Sequence, residues 1–517
     1  MMTKEQLNAT GRGDYHSLYK GQSVDDLIIQ YMQDNHVPGM ALAIVQAPYI
    51  TRVVGYGLAD RETKRLVASN TVFNVGQLSN AYTAVAILQL KEEGKLKLED
   101  SMTAYFSDLP EAWSAITIRH LISHSSGLPS YSDESFDFSK DYSLTDFIQL
   151  LGKKPLLFSP GSKMNPSATD HYLLGKIIEK ASGTSYQDYV TKNQIERMGL
   201  KHTFFVSNMT TVQNEVNNGS TPFKHQQFLH NPVFVNPTEP ARGYVDKDGS
   251  LAPSAQLTWS ATYADSGIVA SAEDISLWDI GLAGGILLKD PENRNFIYNP
   301  TTLNDGEMIP GNGGWFFPGH KGLMEIKGNI PGYSSFLSRF TDASELVCVT
   351  LLANKDNLLD LDILGRKIAA AFDPKLGAVL QGAAWSETLQ SPYAVSKTLE
   401  RVKTIIQAQG GTIFAHISHS AEAKKVGEKL PNTEVLIVGN PAKGTLLMQT
   451  NPAFALDLPL RIMATEDSFG QVWLSFTEPV RLAEEYNISE EELPRLRQLS
   501  SALRKLCEKA ISPLTMG

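Results

Sequence analysis

The stretch FNVGQLSNAYTAVAILQLKEEGKLKLED, Phe73 to Asp100, decides how the chain is read. Its latter part predicts an amphipathic helix from about Ser79 to Glu93, with Val85, Leu88 and Leu90 set among alanines. Gly94, with lysines on either side, is a natural stop. The residues entering that helix, Gln77-Leu78-Ser79-Asn80, include two carboxamides.

Working outward, SVDDLIIQYMQDNHVPG predicts a helix capped by Ser23, with Asp25 and Asp26 in its first turn and Pro38-Gly39 as its end. MALAIVQ and ITRVVGYGLAD predict two strands joined by a turn at Pro48. Downstream, TIRHLISHSSGLPSY is a helix running into a loop, and ASAEDISLWDIGLAGGILL is a helix. GHKGLMEIKGNIPGYSSFLSRF and ELVCVTLLANK are antiparallel strands, and LDILGRKIAAAF is a closing helix. The Pro-, Asn- and Gly-rich residues 203–261 are expected to be mostly long loops. Strands at both ends with helices between them imply one α+β unit whose sheet is completed by both ends of the segment. After Phe372 the pattern loses periodicity, then resumes as helix, strand, helix, strand and hairpin, a second and smaller α+β domain. The expected organisation is an extension over 1–23, a main domain over 24–373, a linker over 374–390 and a second domain over 391–517.

At 517 residues the chain is too long for one ordinary core. A net charge of −10 argues against nucleic-acid or anionic-membrane partners. There is no apolar run of membrane-spanning length, and the N-terminus lacks the apolar core of an export signal, so a cytoplasmic chain is expected. Cys348 and Cys507 read as buried free thiols. No metal-ligand spacing is visible among the 11 histidines, and no cofactor is expected.

The landmarks YGLAD, TVFNVGQLS, AVAILQLKEEGKLKLED, ITIRHLISHSSGLPSY, FSPGSKM, YLLGKIIEKASGTSYQDYV, GIVASAEDISLW and GNIPGYSSF, in that order, resemble the serine β-lactamase and penicillin-binding-protein superfamily in its class C-like branch. The resemblance implies three catalytic clusters in one pocket. For S-x-x-K this chain has Gln77 and Asn80 in place of the serine and lysine. Carboxamides are neither useful nucleophiles nor bases at neutral pH. Ser79 lies ~200° round the helix from the expected position, facing away. For Y-x-N the chain has Pro166-Ser167-Ala168, with neither an ionisable group nor an amide. Asp170 and His171 follow as a candidate acid/base pair, against the simpler expectation that Asp170 caps the next helix. For K-T-G or H-x-G the chain has Ile326-Lys327-Gly328. Lys327 is one step out of register, so it is expected on the opposite face as a solvated charge.

Residues from about 391 to 513 resemble the domain of unknown function 302 family, through SPYAVSKTLERVKTIIQAQGGTIFAHISHSAEA, VLIVGNPAKGTLLMQ, ALDLPLRIM and GQVWLSFTEP. An Asp often precedes that family's histidine, whereas here Ser418 precedes His419. His419, Asn440, Asp457 and Arg461 are its polar candidates for a site. The alternative is structural: Asn440 shaping a turn, Asp457 pairing with Arg461, and His419 capping a helix.

The functional expectation is a catalytically degenerate member of the superfamily. Its old pocket, lined by Gln77, Asn80 and Ile326, would bind a small molecule or peptide, or the protein would serve as a scaffold. Two alternatives stand beside it. One is an active serine hydrolase using Asp170, His171 or Lys327 as base, and the other is a function carried by the C-terminal domain. A homo-oligomer is left open.

Overall fold

The computed structural model describes residues 8–13, 18–19, 21–46, 49–107, 109–132, 136–209, 212, 238–306, 308–309, 311–317, 323–340, 347–358, 360–373, 376, 386–391, 393–466, 472–477, 479–481 and 493–512. The predicted turn at Pro48, most of residues 210–237 within the predicted loops and residues 377–385 of the predicted linker lie outside them. The described part of 203–261 is not mostly loop but holds strands at Thr203–Phe205, Tyr244–Lys247 and Ser250–Pro253 and a helix from Trp259. The chain divides into two compact units, the first ending at Gly377 and the second beginning at Ala378.

The first unit is built on an antiparallel sheet in the order 8–13, 49–60, 39–46, 347–353, 333–340, 323–330, 315–316 and 311–312. As expected, its two ends meet in the middle. Met40 pairs with Ala353 and Ile44 with Val349, joining strands about three hundred residues apart. Residues 8–13, assigned from sequence to an extension, form the edge strand beside Tyr49–Asp60. On one face of the sheet the Val24–Asp34 and Leu361–Phe372 helices pack through Leu27, Ile28, Leu364 and Ile368 onto Leu42, Ile44 and Leu351. Ser23 caps the first of these as predicted, its Oγ accepting from Asp26 N at 3.1 Å.

The other face carries a helical layer with the Ser79–Glu92 helix at its centre. Here the sequence reading needs correction, because this helix is not amphipathic: every residue from Ser79 to Leu90 is buried. Alanines on its flanks are small enough for neighbouring elements to close over them; Thr83 and Gln89 find backbone partners, while Tyr82, its hydroxyl unbonded, stacks on Trp278 at 4.2 Å. Thr83 Oγ1 donates to Ala264 O at 2.6 Å, and Gln89 Nε2 donates to Leu287 O at 3.0 Å. A helix buried all round is a core element, and its polar residues must be satisfied internally. Gly94, at φ 71°, ends it.

The second unit is a five-stranded antiparallel sheet in the order 386–391, 472–477, 460–466, 433–439 and 412–418. The Val395–Ala408 helix and a C-terminal helix, Leu493–Ile511, cover the face bearing Leu436, Val438, Ile462, Leu474 and Phe476. Two features differ from expectation. Residues 386–390, read as linker, belong to an edge strand paired with Val472–Thr477. The C-terminal helix went unread, although Leu496, Leu503, Cys507 and Ala510 repeat at helical spacing and are buried. Cys348 and Cys507 are buried free thiols, as predicted.

Candidate functional site

A short 3-10 turn, Gly76–Leu78, leads into the buried helix and lies directly against the Leu323–Ile330 strand. The approach is backbone to backbone. A Cβ on Gly328 would stand 2.2 Å from Val75 O and 3.1 Å from Gln77 N, while one on Gly76, at φ 53°, would stand 3.0 Å from Asn329 N. At this junction Gln77 Oε1 accepts a hydrogen bond from the Asn329 backbone N–H at 2.8 Å. Asn329 is itself held by Asn357, whose N donates to Asn329 Oδ1 at 2.7 Å.

One turn along, Asn80 turns its amide nitrogen to Asp265, donating to the backbone O at 2.8 Å and to Oδ1 at 3.2 Å. Asp265 is almost fully buried, and its Oδ2 has no hydrogen-bond partner. Burial pushes its carboxyl up to about 6; the charge of His124 and hydrogen bonds from Ser266, Asn80 and Gln77 pull the other way. The chain reaches this position through a break in the Trp259–Ser266 helix at Tyr263, φ 35° and ψ −133°, a conformation that persists only where the surroundings impose it. Asp265 is the residue that sequence reading missed. The available signal was an acid inside the otherwise small and apolar run ATYADSGIVA, because an acidic residue in such a run is rarely left without a partner. Gln77 and Asn80 are thus wired to a strand N–H and a buried carboxyl.

The remaining candidates separate cleanly. Ile326 and Gly328 are buried on the face that meets Gln77, while Lys327 points the other way, half-exposed, its Nζ 2.8 Å from Asp362. Pro166 is exposed, and Ala168 opens the Ala168–Ser182 helix. Ser79 Oγ accepts from Ile268 N at 3.2 Å, pinning the helix to a neighbouring strand.

Asp170 does not cap the helix. It lies in the first turn, fully buried, with Oδ2 2.9 Å from His124 Nδ1 and Oδ1 accepting from Ser126 Oγ. Burial raises its carboxyl above the ordinary range, while His124 and Ser126 oppose that. Nor does Asp170 pair with His171. The His171 ring stands 4.7 Å from that of His124, with neither nitrogen hydrogen-bonded. Burial, and then His124, hold it well below the ordinary imidazole value, so it is neutral.

In the second unit His419 is the exposed first residue of the His419–Lys425 helix, and the cap is Ser418, whose Oγ accepts from Ala421 N at 3.3 Å. GNPAKGT is not a turn but a strand-to-helix junction, with helix running from Pro441 to Thr450. His419 follows the end of a strand whose Ser418 pairs with Glu434, whereas Asn440 follows Gly439, which pairs with Thr412 at the opposite end. At ~3.3 Å per residue those two ends are about 20 Å apart. Arg461, exposed and paired in register with Ile437, lies on Asn440's side, as does Asp457, just before that strand. The four residues therefore do not form one site.

Among the described residues no group of three His, Cys, Asp or Glu side chains could hold a metal ion, and no helix is long and apolar enough to cross a membrane. A buried helix start beside a strand N–H, on an antiparallel sheet closed by both ends of the domain, is the frame in which Gln77 and Asn80 sit. Residues 24–371 match the family model described as Beta-lactamase, and the chain belongs to that family. Residues 387–508 match the model described as Domain of unknown function DUF302.

Penicillin-binding protein 4* of Bacillus subtilis is 27% identical over 310 residues, 58% of this chain and 64% of that protein. The chain thus spans less than two thirds of that relative. Among solved structures, the octameric penicillin-binding protein homologue from Pyrococcus abyssi superposes with a TM-score of 0.55 at 18% identity, covering 87% of this chain and 89% of its own. D-amino acid amidase from Ochrobactrum anthropi SV3 superposes with 0.54 at 20% identity, covering 68% and 99%. At those identities the likeness concerns the fold.

Proposed function

We propose that this chain is a non-catalytic member of the β-lactamase family whose inherited site is held closed by its own side chains. In this reading the first unit serves as a scaffold, or takes a small molecule or peptide only after Gln77 is displaced. The observation that carries the proposal is the 2.8 Å hydrogen bond from Asn329 N to Gln77 Oε1. A backbone N–H facing a helix start is the kind of donor that polarises a substrate carbonyl in acyl transfer. Here an internal carbonyl uses it. Asn80, tied to Asp265, is an amide and cannot take up a proton at neutral pH. Lys327 pairs with Asp362 and the His171 ring packs on that of His124, and among the described residues neither makes a hydrogen bond to a serine hydroxyl.

The test is incubation of the full chain with a fluorophosphonate probe, a chromogenic ester and a cephalosporin, read by intact mass and by turnover. No adduct and no turnover above background is expected; a covalent adduct on any serine, or turnover removed by Asp265→Asn or His171→Gln, overturns the proposal. Assembly of identical chains belongs to the same scaffold reading, with the octameric Pyrococcus homologue as its motive, and light scattering on the full chain decides it.

A further inference from the structure

Gln77 is held at both ends of its carboxamide. Its Oε1 accepts from Asn329 N at 2.8 Å, and its amide is one of three groups, with Asn80 and Ser266, that hydrogen-bond the Asp265 carboxyl. The backbone beneath it is fixed. Ser335 Oγ donates to Val75 O at 2.6 Å, and Gly328 packs on the same carbonyl so closely that a Cβ would stand 2.2 Å from it. Gln77 is half-exposed while Asn80 is buried, so the Gln77 side chain is the part of this junction with room to turn.

The charge on Asp265 decides which way it turns. A carboxylate only accepts, and it takes charge-assisted hydrogen bonds from both carboxamides, roughly twice as strong as neutral ones. A neutral acid carries an O–H that needs an acceptor, while the carboxamide nitrogens facing it are donors. A carboxamide must then present its oxygen, and for Gln77 that takes Oε1 off the Asn329 N–H. Turning removes a donor from the carboxylate, so the turned form binds the proton more tightly and gains as the pH falls through about 6.

Among the described residues, His124, Tyr131 and Tyr186 are the titratable groups whose charge bears on Asp265. Its own helix, Trp259–Ser266, holds no other charged residue. His124 favours the ionised carboxyl and is itself held by Asp170 at 2.9 Å; His171, neutral, packs on His124 and not on Asp265. Burial pushes the phenols of Tyr131 and Tyr186 far up, so both stay neutral while Asp265 titrates.

We propose that the charge of Asp265 latches the inherited site: the carboxylate keeps Gln77 on the Asn329 N–H, and the neutral acid turns Gln77 away, freeing that N–H for a carbonyl of an occupant. This rests on the reading of a site closed by its own side chains. The test is amide hydrogen exchange on the full chain, followed at the Asn329 N–H from pH 5 to pH 8 and divided by the intrinsic rate at each pH. Amides of the central Val347–Ala353 strand serve as the reference for global opening. Protection of Asn329 is expected to fall about fivefold from pH 8 to pH 5, with its midpoint near pH 6, a fall the reference amides do not share. Asp265→Asn, an isostere of the neutral acid, holds Asn329 at the wild-type pH 5 level throughout. Gln77→Ala removes the protection at every pH, and the reference amides show that each variant is folded. Equal protection of wild-type Asn329 across the range overturns the inference without any variant and leaves the closed-site reading standing. A transition that survives in folded Asp265→Asn assigns the pH dependence to another group and overturns it also. An Asn329 amide unprotected at every pH, or still protected in folded Gln77→Ala, overturns the inference together with the closed-site reading.

Discussion

Asp265 offers the sharpest test of the rewired site. Its carboxyl moves from an ordinary value of 3.8 to about 6 on folding, because burial outweighs the groups that favour its ionised form. The folded state therefore holds this proton more tightly than the unfolded chain does. The associated stability is fully present below pH ~4 and is lost as the pH rises through ~6. A shift of about two units corresponds to about 3 kcal/mol in all, most of it, about 2 kcal/mol, falling between pH 4 and pH 8. Asp265→Asn keeps an oxygen for the Asn80 amide and removes the titration. The measurement is the thermal midpoint of the first unit in the full chain, wild type against variant, at four pH values from 4 to 8. The variant should gain on the wild type by about 3 °C across that interval, for a unit of roughly 350 residues. Other carboxylates titrate in both proteins and cancel. Parallel pH profiles would refute the argument, since they would mean that Asp265 is not held in a dry site beside Asn80.

Three further outcomes follow from the same contacts. Ser79→Ala leaves the buried Ile268 N–H without its acceptor and should cost about 1–3 kcal/mol in urea unfolding, with no change in reactivity toward fluorophosphonate. Gly328→Ala forces a Cβ to within 2.2 Å of the Val75 carbonyl and should destabilise by about 3 kcal/mol or more, read as a lower denaturant midpoint or loss of folded protein. The double substitution Gln77→Ser with Asn80→Lys should not restore acylation by a cephalosporin in intact-mass spectra. Pro166, Ala168 and Ile326 offer no proton-transfer partner, and the new ammonium would be drawn to the Asp265 carboxyl.

The scaffold was legible because its signals are local or periodic. Ser23 as a cap, Gly94 as a stop and the alternating Ile326-Lys327-Gly328 step each depend on neighbours in sequence, and each sits where the pattern put it. The central helix misled because its period suggested a polar face, whereas burial there depends on elements folded over it from Ala264 and Leu287, far along the chain. Asp170 misled for the same reason. Its position fits a capping acid, and only the return of the His124–Ser126 loop turns it into a buried partner. Asp265 showed only as an acid in an apolar run, with nothing in its own segment to say what it meets; its partners, Gln77 and Asn80, lie nearly two hundred residues away. Gln77, Asn80 and Ile326 could be read one by one, but the contacts that join Gln77 to Asn329 and Asn80 to Asp265 could not.

The pairing of Met40 with Ala353 sets the timetable of biogenesis. While the ribosome has made only the first three hundred residues, the Gly39–Gln46 strand has one bare margin and the central helix one uncovered flank. Such long-range closure is slow to form and leaves sticky surface waiting for its complement. A premature stop before Val347 would accordingly yield not a smaller functional protein but a client for chaperones and proteases.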